Sequence, residues 1–175
     1  MHEQICARLM RAIPKLPQSR LYLKAAEWGI DEMVKQHAYG SGYRFFMVGI
    51  LASLRAVQHA LFNHDRKLSP EHEAAIDEWW KRTTPKGCPE LAFIANARNQ
   101  ILKSGAFESY ATSSESGIGE GENYTVTATE YEVEYFVDGE RRDLLADLRK
   151  AADWCDKELT GIEAQLPQLY EADDG

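Results

Sequence analysis

Arg98 is the residue that packing explains least well. In the stretch LAFIANARNQILKSG, residues 91–105, a helical turn of about 100° per residue places Leu91, Ile94, Ala95, Ile101 and Leu102 in one apolar stripe. Arg98 falls in the middle of that stripe, Asn99 on its flank and Lys103 beyond it. A charge facing a core is costly unless it is paired and hydrogen-bonded. Arg98 therefore either meets a carboxylate inside the fold, snorkels its head to water, or lines a cleft or a subunit interface. A second polar line, Arg44, Arg55 and His59, runs along the apolar segment 43–63, with Arg55 and His59 a stacked i,i+4 pair. That line is either a solvated strip with a half-buried histidine or a wall of the same cleft as Arg98.

Other chemistries find less support. Cys88 precedes Pro89 with no local histidine, so a cysteine nucleophile lacks its base. His59, His64 and His72 lack the pairwise spacing and cysteine partners of a zinc motif. Glu130, Glu132 and Glu134 share one face of a strand, but same-face glutamates alone do not make a metal cage. The glycines of SSESGIGEGEN do not sit between a strand and a helix, which excludes a phosphate loop. No metal and no cofactor is expected.

The elements that must position these residues are mainly helical. Residues 3–12 suit a short helix, broken by Pro14 and Pro17, and Ser19 is a plausible N-cap for a helix reaching about residue 37. The Gly40-Ser41-Gly42 break separates it from segment 43–63, apolar nearly all round and so a central helix. Ser69-Pro70-Glu71 starts a helix to about residue 82. That helix carries Trp79 and Trp80, which point about 100° apart so that at most one is fully buried. Thr84-Pro85-Lys86-Gly87 closes it before the Arg98 helix.

From residue 107 the composition changes. Residues 113–123 read as a flexible acidic loop, and 124–129 and 131–137 alternate with period two, their parity switching near Thr129-Glu130, where a bulge or break belongs. Asp138-Gly139 is a turn signal. A last helix, about 140–165, carries Leu144, Leu148, Ala151, Cys155, Leu159 and Ile162 at spacings of three and four, a seam along another helix. The tail, 167–175, should fray.

The expected fold is thus a mainly α bundle of four to five helices with a small β element inserted near residues 107–137. At 175 residues one domain, 1–175 with an N-terminal extension over 1–18, is the default. No secretory leader is evident, and Cys6, Cys88 and Cys155 are odd in number and far apart, so they read as reduced thiols in a cytoplasmic protein that does not enter membranes. The net charge of −8 argues against a broad nucleic-acid-binding face and leaves room only for a local basic cleft.

The succession FFMVGILASLRAVQHAL, a tryptophan helix and FIANARNQILKSG resembles the divergent HEPN-type bundles, over roughly residues 20–165, the specific part being about fifteen residues long. Members of that family carry an R-N-x-x-x-H signature on a late helix. Arg98 and Asn99 match its first two positions, and Lys103 stands where the histidine belongs. The resemblance implies a metal-independent ribonuclease in which arginine and histidine from two subunits line a shared cleft. The histidine exchanges the proton during attack of a ribose 2′-hydroxyl and the arginine steadies charge on phosphorus. With Lys103 in place of histidine, it implies a catalytically degenerate homodimer that binds RNA, a nucleotide or a protein partner through Arg98, Asn99, Lys103, Arg55 and His59. The alternative is a toxin- or defence-type endoribonuclease using Arg98 with Lys103 or His59.

Overall fold

Helix α1 (Pro17–Lys35) and helix α2 (Gly42–Asn63) run antiparallel. The Ser19 hydroxyl lies 3.3 Å from the Val57 carbonyl at one end, and Gly29 lies against Ile50 further along. A Cβ at position 29 would sit 2.8 Å from Ile50 Cγ1, so glycine is what lets the two helices close together. The computed structural model describes residues 10–35, 42–83, 88–104, 109–118, 125–137 and 140–172. Cys6 and the expected turns at 84–87 and 138–139 lie outside the described residues, as do the side chains of Arg44, Glu130, Glu132, Arg98 and Lys103.

Helices α3 (Pro70–Thr83), α4 (Pro89–Ser104) and α5 (Leu144–Glu163) complete a mainly α bundle. Strands β2 (Ser109–Ile118), β3 (Thr125–Val137) and β4 (Glu140–Asp143) form the inserted antiparallel sheet, in the order β2-β3-β4. The core follows the expected stripes: Leu23, Ile30 and Met33 of α1, Ile50, Leu54 and Leu61 of α2, Ile76 and Trp79 of α3, Ile94 of α4 and Leu148, Cys155 and Ile162 of α5 are buried together. Burial on this scale, about 25 cal/mol per Å² of apolar surface, is the main force holding the bundle.

Polar side chains fix how the helices meet. Arg20 of α1 binds Asp156, Thr160 and Glu163 of α5, and burial of its guanidinium is outweighed by the bond to Glu163, so its pKa is raised. Lys15 Nζ donates to the Glu163 and Leu166 carbonyls at 2.9 and 2.7 Å, closing the C-terminal end of α5. Trp79 Nε1 donates to Glu158 at 2.6 Å, pinning α3 to α5.

Five boundaries differ from the sequence reading, each because a tertiary partner outweighs local preference. Met10–Ile13 is a strand, β1, pairing antiparallel with β5 (Leu169–Ala172). A short helix at 3–12 and a frayed tail give way, over these residues, to two segments that satisfy each other's backbone groups. Ser19 is not a cap: α1 starts at Pro17, and the buried Asp65, in the 3₁₀ turn Asp65–Lys67, accepts from the amides of Gln18 and Ser19 at 3.1 and 2.9 Å. Residues 113–118 are not loop but part of β2, a polar strand at the edge of the sheet whose backbone pairs with β3 from Ser109↔Tyr135 to Ile118↔Thr125. β3 is continuous; the irregularity lies between Ser116 and Gly117, opposite Thr127, rather than at 129–130. The last helix starts at Leu144, because Glu140–Asp143 pairs with β3 and the Asp143 side chain then caps the helix by accepting from Ala146 N at 3.1 Å.

Candidate functional site at the α2–α3 cleft

The exposed edge of α2 and the end of α3 enclose a cleft of about 330 Å³ lined by Arg55, Gln58, His59, Phe62, Asn63 and Trp80. Positions 55, 58, 59, 62 and 63 recur at three- and four-residue spacing, so one helix presents all five side chains to the same space. Trp80 arrives from α3 because its neighbour Trp79 points into the core and is bonded to Glu158, which turns Trp80 outward to 38% exposure. Its ring meets Phe62 edge-to-face with centroids 5.0 Å apart, giving the cleft an aromatic wall.

The opposite side is polar. Arg55 Nη1 donates to Gln58 Oε1 at 2.6 Å, and Gln58 is 7% exposed, so a buried amide holds the guanidinium. Asn63 Nδ2 donates to the His59 carbonyl at 2.9 Å. Among the described residues no carboxylate pairs with Arg55, whereas Arg20, Arg66, Arg82, Arg141 and Arg142 are each ion-paired. Arg55 thus offers an uncommitted cation beside an aromatic face, which suits an anion carrying an aromatic ring.

Of the sequence candidates, Arg55 and His59 come together in this cleft. Asn99 is half-buried on α4 and does not line it. Arg98 and Lys103 lie on the backbone of α4, and their side chains are outside the described residues. Gln58, Phe62, Asn63 and Trp80 were not anticipated as lining residues; the signal for the first three is their helical spacing from Arg55 and His59, and for Trp80 its adjacency to a core tryptophan.

The remaining chemistry-bearing groups are structural. His72 is buried, with Nε2 3.0 Å from the Lys15 carbonyl and Nδ1 2.9 Å from Ser69 Oγ. Burial, with Cys88, Glu158 and Glu90 nearby, pushes the Cys155 thiol up to about 12, where it is no nucleophile at neutral pH. Tyr135 is buried where the sheet meets the bundle, donating to Asp147 Oδ2 at 2.6 Å, and burial followed by that carboxylate raises its pKa. Arg142 also bonds Asp147, at 2.9 Å, and caps the Tyr135 ring at 5.8 Å. The notch beside them, about 100 Å³, thus has its central charges neutralised internally. Among the described residues no group of three or more His, Cys, Asp or Glu is placed to hold a metal.

Compared with family models, with curated proteins and with solved structures, the chain finds no match in any of the three.

Proposed function

We propose that this chain is a non-catalytic, HEPN-like binding protein whose α2–α3 cleft holds a nucleotide, either free or at an RNA end. The observation that carries the reading is the uncommitted guanidinium of Arg55 facing the Phe62–Trp80 wall across a cleft of about 330 Å³. Arg55 and His59 supply donors for a phosphate, and an arginine fork matches phosphate oxygens in two directions. Trp80 supplies a face on which a base stacks, worth about 1–3 kcal/mol. Gln58 and Asn63 are amides able to meet the polar edge of a base or sugar. A single charged contact and a single stack together support affinities on the order of 10 µM to 1 mM. The match of Arg98-Asn99 to the family signature without its histidine supports binding over cleavage.

Calorimetric titration with AMP, adenosine and inorganic phosphate tests the reading. AMP binds more tightly than either fragment, added salt weakens it, and Arg55→Gln and Trp80→Leu each cost about tenfold. Equal, unsaturable responses to all three compounds, or an Arg55→Gln variant that binds as wild type, would overturn it. Cleavage of mixed RNA in EDTA that disappears in His59→Ala would replace it with the nuclease.

A further inference from the structure

The same helix carries a second feature that the cleft does not use. Phe45 is 82% exposed and Val48 is 38% exposed, and Gly49 and Ala52 face solvent on the same side. A Cβ at Gly49 would meet nothing within 4 Å, so this side of α2 touches no other described part of the chain. The apolar span Phe45–Lys67 is long and apolar enough to cross a membrane, yet only 44% of it is buried in the bundle. Phe45, Ala52 and His59 are spaced by seven, so the exposed knob, a small-residue centre and the cleft lie on one line of the helix.

We infer that this face binds a second copy of the chain, α2 against α2 in antiparallel register about Ala52, with Phe45 of each copy seated in the cleft of the other. A two-fold axis at Ala52 brings position 45 of one copy level with position 59 of the other, and position 49 level with 55. Helical side chains lean toward their own N-terminus, which carries the Phe45 ring past His59 to the level of Phe62 and Asn63, against the aromatic wall. Gly49 leaves room for the stem of the opposing Arg55, and Ala52 and Ala56 let the axes approach to about 8 Å. The drift of a straight helix over two heptads is taken up by the usual crossing near 20°.

Area fixes the strength of this pairing. Positions 45–63 span about 27 Å at 1.5 Å per residue, and one helix face of that length in each copy buries roughly 1,000 Å² in all, the lower limit for a specific interface. The dimer is therefore reversible, with a dissociation constant on the order of 10–100 µM. Resting on the cleft reading above, the pairing also regulates it: Phe45 of the second copy and a nucleotide occupy the same space, so each displaces the other.

Sedimentation equilibrium of wild type, Phe45→Ser and Ala52→Glu, repeated with AMP, tests both parts. All three positions of change face solvent in the monomer, and circular dichroism checks that each variant is folded. Ala52→Glu sets two like charges on the axis and Phe45→Ser removes the knob; each weakens the dimer at least tenfold, and both then bind AMP more tightly than wild type at high protein concentration. AMP shifts the wild type toward monomer. A wild type that stays monomeric to about 1 mM, or an Ala52→Glu variant that dimerises unchanged, overturns the interface. Loss of the dimer in both variants with AMP binding to none supports the interface and overturns the shared cleft.

Discussion

Ser19 and Asp65, 46 positions apart in the chain, share a buried hydrogen bond of 2.5 Å, and the same carboxylate accepts from the amides that begin α1. A fully buried charge is tolerated here because it meets the positive end of a helix with three donors aimed at it. Asp65→Ala removes the cap and leaves Ser19 and two amides without their acceptor. The expected loss is about 2–4 kcal/mol in urea denaturation. Asp65→Asn keeps one acceptor oxygen but turns an amino group toward backbone donors, and should fall between the two. An Asp65→Ala variant as stable as wild type would mean that this contact does not hold the α1–α2 pair together.

The sheet is joined to the bundle by Tyr135, whose phenol reaches Asp147 while its ring packs on Phe93 at 5.9 Å between centroids. Tyr135→Phe deletes a hydrogen bond to a charged acceptor and leaves the packing, for a loss of about 1–2 kcal/mol. Tyr135→Ala also empties the seat of the ring and should cost about 3–5 kcal/mol. Equal losses for the two would show that the ring contributes nothing beyond its hydroxyl.

Glu27 stands on α1 with Asp31 and faces Asp153 and Asp156 of α5, while Arg20 partly compensates. Burial first and then Asp156 raise its pKa, with Arg20 pulling the other way. The folded chain therefore holds the proton more tightly than the unfolded chain, so this group lowers stability as pH rises through the carboxylate range. Glu27→Gln should raise the melting temperature at pH 7, and the gain should vanish on acidification below the ordinary glutamate value. A gain that persists unchanged at low pH would assign it to something other than charge.

Much of the bundle is legible from period alone. The stripes Leu23, Ile30 and Met33 and Leu148, Cys155 and Ile162 are buried as their spacing requires, and the Trp79–Trp80 pair divides into one core and one surface ring. What period misses is pairing between distant segments. Nothing local in MRAI announces that it will pair with LYEA, or that the serine-rich SYATSSESGI will form an edge strand, because the preference of each is weaker than the backbone bonds its partner offers. The cleft is half legible. Arg55 and His59 stand out as charges on an apolar helix, but the wall they face depends on which way Trp80 is turned by the bond between Trp79 and Glu158.

Cys155 lies at the centre of the α5 seam, 2% exposed, and its thiol is pushed up to about 12 chiefly by burial. In the unfolded chain it ionises near the ordinary thiol value, while in the folded chain it stays protonated. The unfolded state thus releases its proton first, and stability falls as pH rises through that interval. Between about pH 8.5 and 10 this single group should remove about 1–2 kcal/mol from the wild type. Cys155→Ala loses packing at neutral pH, by about 1 kcal/mol, but lacks this alkaline loss, so the two stability curves converge and then cross. Tyr135, also held protonated by burial and by Asp147, steepens both curves alike and cancels from the difference. Urea titrations of both proteins from pH 7 to about 10 give the comparison directly. Parallel curves across that range would mean that the thiol ionises as readily in the folded bundle as in the open chain, and that the α5 seam is wetter than its packing indicates.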